Sequence, residues 1–99
     1  MLNINKTIEN GKAVLKPEGR LDTVTAPDME KTIKEILPGI KSLVFDLSGL
    51  EYISSAGLRV LLFAQKAMNA TGDMKVINVN EAVMEIFEVT GFSDILTIQ

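Results

Sequence analysis

Polar and apolar residues alternate at the start of the chain, which predicts a strand over Leu2–Ile8, and a second strand follows over Lys12–Glu18. Asn10-Gly11 between them is a strong hairpin-turn pair. Pro17 and Gly19 weaken the end of the second strand and suggest an edge or a bulge there. The period then changes to that of a helix. Met29, Ile33, Ile36 and Leu37 form one apolar stripe and predict a helix over Ala26–Leu37. Thr25 and Asp28 have capping-box spacing, Pro27 is tolerated in the first turn, and Pro38-Gly39 stops the helix.

The continuously apolar Leu43–Leu47 suits a parallel strand covered on both faces, followed by a short loop. A second helix is predicted over Ser55–Ala70, ended by Thr71-Gly72-Asp73. A strand over Met74–Val79 comes next. Asn80 then caps a third helix carrying Val83, Ile86, Phe87 and Thr90, with Gly91 as its stop, and a last strand spans Asp94–Ile98. The order ββαβαβαβ predicts a single α/β domain over residues 1–99, with a mixed, mostly parallel sheet and right-handed crossovers. Sites in such sheets collect beyond the C-terminal ends of the strands, and the turn at Ser54-Ser55 falls there.

On a helical wheel Leu58, Val60, Leu61, Phe63, Ala64, Ala67 and Met68 cover most of the second helix. The remaining stripe holds Ser55, Arg59, Gln65, Lys66 and Asn69, with Leu62 in its middle. Leu62 is either an ordinary exposed leucine or an anchor for a partner docking across the Ser55 face. Arg59, one turn after Ser55, either pairs with a phosphate placed there or is a solvated surface charge. Gly57 costs helix stability, so it marks a close approach by a partner, by another backbone or by packed side chains.

Composition removes several chemistries. The 99 residues contain no cysteine and no histidine. Disulfides, thiol nucleophiles and the commonest general base and metal ligand are therefore excluded, and an autonomous enzyme is not expected. A serine hydrolase has no base, and the phosphate-loop pattern Gly-x-x-x-x-Gly-Lys-Ser/Thr is absent. A net charge of −3 with scattered lysines argues against nucleic acid. No signal peptide is expected at the N-terminus, and the longest apolar run, Val60–Ala64, is too short to span a bilayer. Membrane insertion is thus not expected and a cytoplasmic location is. Asp22 and Asp46 are two isolated carboxylates, read as a cap and a strand-end group rather than as magnesium ligands, and no metal or other cofactor is expected.

What remains is the pair of hydroxyls, Ser54 and Ser55, at a helix start. There unpaired N–H groups favour negative charge, and an added phosphate could be accommodated without breaking the fold. Most serines at helix starts are caps, so the motif is weak alone. In its setting it is not. Asp46-Leu47-Ser48-Gly49-Leu50-Glu51-Tyr52-Ile53-Ser54-Ser55-Ala56-Gly57-Leu58 resembles the motif of STAS domains, particularly bacterial anti-sigma factor antagonists, and Gly19-Arg20-Leu21-Asp22 resembles that family's Gly-x-Leu-Asp. The resemblance covers the whole chain in element order and length.

The resemblance implies a protein-binding module whose phosphoacceptor is Ser55, directly before the small-Gly-Leu triplet. It implies that Asp22 lines the site near Ser55; Ala56, Gly57, Arg59 and Leu62 on the second helix are the further candidates for partner-binding or site-lining residues. The implied partners are an anti-sigma factor resembling a GHKL-fold serine kinase and a PP2C-like phosphatase. Ser54 stands where the family most often has Asp and is a second candidate acceptor; Arg59 stands where many members have Gly. Two other functions stay open: a constitutive scaffold subunit in which Ser55 is only a cap, and a small-ligand or nucleotide pocket beyond the second and third strands.

Overall fold

The computed structural model describes residues 2–99. Its elements in chain order are β1 (Leu2–Glu9), β2 (Lys12–Leu21), α1 (Ala26–Ile36), β3 (Ser42–Asp46), β4 (Leu50–Ile53), α2 (Ser55–Thr71), β5 (Asp73–Ile77), α3 (Glu81–Thr90) and α4 (Phe92–Ile95). The hairpin forms at the expected turn. Asn10 (φ 51°) and Gly11 (φ 78°) both take positive φ, as a tight two-residue connection requires, and Glu9 faces Lys12 across it.

β2 is the organising strand. It pairs with β1 antiparallel along its length, with β3 parallel over Lys12–Leu15, and with β4 parallel over Gly19–Leu21. Gly19 faces Leu2 of β1 and Leu50 of β4, so β3 and β4 share one edge of β2 and β1 takes the other. The register shifts between Gly19 and Arg20, where Gly19 adopts φ 109°. The expected bulge is therefore present, but β2 is interior rather than an edge. β5 pairs with β3 in parallel and completes the sheet order β1-β2-β3-β5.

The order ββαβαβαβ needs two corrections. β4 lies in what reads as a loop. Its four residues follow the pattern buried, exposed, exposed, buried, so no strand period shows in the sequence. At the C-terminus, Phe92–Ile95 is a short helix, and the expected last strand shrinks to a parallel bridge between Val76 and Ile98. Thr97 O accepts from Val76 N at 2.8 Å and Gln99 N donates to Val76 O at 2.9 Å, which covers part of the outer edge of β5.

The helices cover one face of the sheet. Ala13 and Leu15 of β2, Leu43 and Phe45 of β3, and Met74 and Val76 of β5 form one core cluster with Met29 and Ile33 of α1, Leu61 and Ala64 of α2, and Val83 and Phe87 of α3. The alternate residues Lys12, Lys16, Asp46, Asp73 and Lys75 turn to the other face, which is polar. Val44 is buried there but stands outside the core cluster. The expectation that β3 is covered on both faces is thus corrected: its neighbours Val14 and Lys75, rather than a helix, shelter Val44. Asn5 Nδ2 donates to Glu18 Oε1 at 2.8 Å across this open face.

The capping box expected of Thr25 and Asp28 does not form. Thr25 makes no side-chain cap, because its hydroxyl is already used within the β2–α1 loop. Gln65, expected on the exposed stripe of α2, is buried instead. Its Nε2 donates to Asn69 Oδ1 at 2.8 Å, and its buried Oε1 has no partner.

Candidate functional site

Two strand ends meet beneath two helix starts. Leu21 of β2 pairs with Ile53 of β4, and Leu21 O accepts from Ser54 N at 2.9 Å. From this joint one chain segment runs through Asp22–Thr25 into α1, and the other passes directly into α2. The β2–α1 loop and the first turn of α2 therefore lie side by side at the C-terminal ends of parallel strands, where the topology predicts a site.

The two serines divide the work. Ser54 is the N-cap of α2: its backbone is extended (φ −97°, ψ 176°), it is half-buried, and its Oγ accepts from Gly57 N at 3.3 Å. Ser55 is the first residue of the helix and is exposed. A group added to the Ser55 hydroxyl would meet solvent, whereas one added to Ser54 would displace the cap.

Gly57 seats this turn. It is buried, and a Cβ built on it would lie 2.7 Å from Ile53 Cγ1, 2.8 Å from Leu21 Cγ and 3.0 Å from Leu21 O. The close approach is to this chain's own strand ends. Ala56 and Arg59 line an open groove of ≈ 220 Å³ with Thr23, Ala26, Pro27, Glu30 and Val60, between the starts of α1 and α2. Arg59 is exposed, while Leu62, one turn further along α2, is half-buried rather than free in solvent.

Asp22 holds the neighbouring loop. Its Oδ1 accepts from Val24 N at 3.0 Å and Thr25 N at 3.1 Å, while Thr25 Oγ1 accepts from Asp22 N at 2.9 Å and donates to Arg20 O at 2.8 Å. The Thr25 N–H lowers the Asp22 carboxyl below its ordinary value; the Val24 N–H, the Thr25 hydroxyl and the Arg20 charge act in the same sense, against a desolvation that opposes them. The loop so fixed presents Val24, which is 84% exposed, beside the start of α2.

Sequence reasoning missed Val24, Arg20 and Tyr52 as members of this site. Arg20 and Tyr52 face each other across β2 and β4, with the guanidinium carbon 4.4 Å from the ring centroid and Arg20 Nε 3.9 Å from Asp22 Oδ2. The signal for Arg20 was its place inside Gly19-Arg20-Leu21-Asp22; the signal for Tyr52 was invisible without β4.

Asp46 lies apart from this loop, at the end of β3. Its Oδ1 accepts from Ser48 N at 3.0 Å and Asn78 Nδ2 at 3.2 Å, tying β3 to the residues after β5. Desolvation pushes its carboxyl up, but the bonds from Ser48 and Asn78 and the Lys16 charge together hold it below its ordinary value. Among the described residues no group of three or more His, Cys, Asp or Glu side chains is placed to hold a metal ion. No helix among them is long and apolar enough to cross a membrane.

The fold has known counterparts. The family model of the STAS domain matches residues 3–99, and the chain belongs to that family. A relative in Staphylococcus aureus, named anti-sigma-B factor antagonist, is 27% identical over 97 residues, covering 96% of this chain and 90% of its own. Among solved structures, an anti-sigma factor antagonist from Mycobacterium paratuberculosis superposes with a TM-score of 0.90 at 24% identity, over 99% of this chain and 85% of that one. The Bacillus cell fate determinant SpoIIAA in its phosphorylated form has a TM-score of 0.76 at 14% identity, over 100% and 91% of the two chains.

Proposed function

We propose that this protein is an anti-sigma factor antagonist: a binding module, not an enzyme, switched by phosphorylation of Ser55. The observation that carries the reading is the division of the serine pair. One hydroxyl closes the helix, and the next stands exposed, directly before Ala56, which lines the groove. The naming of its relatives supports the same function.

With Ser55 bare, the partner docks over the start of α2 and the β2–α1 loop. Val24 and the groove beside Ala56 offer apolar surface, and Tyr52, Arg20, Asp22 and Arg59 give a polar surround. Tyrosine and arginine are the residue types that most often dominate such contacts. The partner is an anti-sigma factor with a GHKL-type kinase fold, and its capture frees a sigma factor. An ATP-using kinase places this cycle in the cytoplasm.

The switch is a phosphoryl transfer. Ser55 Oγ forms a bond to the γ-phosphorus of ATP, the bond from that phosphorus to the bridging oxygen breaks, ADP leaves, and the hydroxyl proton passes to a base on the kinase. A PP2C-like phosphatase reverses it with water, releasing inorganic phosphate. The modification adds about −1.5 to −2 charges. Burying charge of that size in the docked surface costs several kcal/mol. A cost of about 3–4 kcal/mol weakens binding some hundreds-fold. No refolding is required.

The test is intact-mass analysis of the protein from its own cells together with a binding comparison. A species heavier by about 80 Da that disappears in Ser55→Ala marks the acceptor. Ser55→Ala should bind the anti-sigma factor but resist switching, and Ser55→Asp should bind poorly. Equal affinity of Ser55→Asp and wild type, with no heavier species under any growth condition, would favour a constitutive scaffold.

A further inference from the structure

The chain has two arginines, and both stand at the end of the fold that carries Ser55. Their situations differ. Arg20 is engaged: its guanidinium lies over the Tyr52 ring at 4.4 Å, and its Nε is 3.9 Å from Asp22 Oδ2. Arg59 is exposed, and among the described residues no carboxylate lies within salt-bridge distance of it. Glu30 lines the same groove but sits 4.0 Å from Lys34.

Arg59 follows Ser55 by four residues on one continuous helix. That spacing brings two side chains onto one face with Cβ atoms about 5–6 Å apart, and an anion N-terminal to a cation is the favoured order. The planar guanidinium fork matches phosphate oxygens in a way an ammonium does not. Moving Arg20 to the phosphate instead would undo its stack and leave the Asp22 carboxylate facing a dianion without its counter-charge.

We propose that Arg59 is the internal receptor for phosphate on Ser55 and that it changes partner with the state of the switch. The side chain is available to acidic groups of a docked protein while Ser55 is bare, and is drawn back onto the phosphate once Ser55 is modified. Phosphorylation then acts twice on the docking surface, adding an anion and withdrawing a cation. This rests on the reading of Ser55 as the acceptor, but its test needs neither kinase nor partner.

Phosphoserine is installed at position 55 during translation, and the purified protein is studied by NMR. Two arginines give two side-chain Nε–H resonances. Phosphorylation is expected to move that of Arg59 and leave that of Arg20 in place. The second phosphate pKa, about 6 for phosphoserine, should be lower by about 0.2–0.4 in the wild-type background than in Arg59→Gln. Arg59→Lys should recover part of that difference, and the difference between Arg59 and Arg59→Gln should persist when both are measured in an Arg20→Gln background. Identical phosphate titrations in wild type and Arg59→Gln, or movement of the Arg20 resonance in place of Arg59, would overturn the proposal. If cells never phosphorylate Ser55, the switch reading fails while this titration stands; a null titration leaves the switch reading intact.

Discussion

Replacing Gly57 by alanine should destabilise the fold, although the same change in an open helix would stabilise it. In an exposed helix interior the substitution gains about 0.8–1 kcal/mol. Here the new methyl group would press on Ile53 Cγ1 at 2.7 Å, Leu21 Cγ at 2.8 Å and Leu21 O at 3.0 Å. Real Cβ atoms do not approach backbone oxygen and packed carbon so closely from three directions, and the two side chains belong to the core cluster. Overpacking of this kind costs typically about 1–3 kcal/mol. With a first-turn residue realising only part of the helix gain, the net loss should be about 1–2 kcal/mol. For a domain of this size that is a fall in Tm of about 5–15 °C. Urea and thermal unfolding, followed by circular dichroism, measure it. A Leu21→Ala background removes one of the three obstacles, so Gly57→Ala should cost less there, which a double-mutant cycle reads as coupling. A Gly57→Ala protein that melts at a higher temperature than wild type would refute the reasoning, because it would mean that α2 is not seated on Leu21 and Ile53.

Three further outcomes are expected. Ser54→Ala removes the cap on Gly57 N and should cost about 0.5–2 kcal/mol in urea titrations, whereas Ser55→Ala should stay within about 0.5 kcal/mol of wild type; the reverse ranking would exchange the roles of the two hydroxyls. Asp22 has a folded-state pKa below its unfolded value, so its contribution to stability is present above the unfolded value of 3.8 and is lost as pH falls through the folded one. Urea midpoints measured from about pH 5 downward should therefore fall less steeply in Asp22→Asn than in wild type, and parallel curves would contradict this. Gln65→Leu removes a buried carbonyl oxygen that has no partner, and its stability should equal or exceed that of wild type by up to about 2 kcal/mol; a loss of more than about 1 kcal/mol would show that the oxygen is satisfied in solution.

The elements legible in the sequence were those whose period or punctuation is strong. The stripe Met29, Ile33, Ile36 gave α1, Asn10-Gly11 gave the hairpin, and Asn80 and Gly91 bounded α3, all by local chemistry. β4 was not legible because Leu50 and Ile53 are buried while Glu51 and Tyr52 between them are exposed, and its pairing with β2 follows a register shift. That omission hid the site's second wall, since Tyr52 meets Arg20 only through the β2–β4 pair. The end of the chain misled for the opposite reason. Ile95, Leu96 and Ile98 carry strand-forming side chains, but α4 turns the backbone before Ile98 reaches Val76. Gln65 joins the polar stripe by its residue type, but at about 100° per residue it falls between Leu58 and Leu61, inside the buried face that also holds Met68. Ser54 and Ser55 stood out as hydroxyls at a helix start, a place that most often marks a cap; the acceptor role of Ser55 and the place of Asp22 beside it came from the resemblance to STAS domains.

One broad side of the sheet carries no helix, and Lys12, Lys16, Asp46 and Lys75 keep it wet. The molecule is consequently a slab, with Cα extents of 32 × 28 × 19 Å, and the serine turn lies at its rim where strands run out. A partner approaching that rim meets loops and helix starts edge-on. The flat charged side stays hydrated whether the rim is occupied or vacant, so the proposed switch at Ser55 would act without changing how that side meets water.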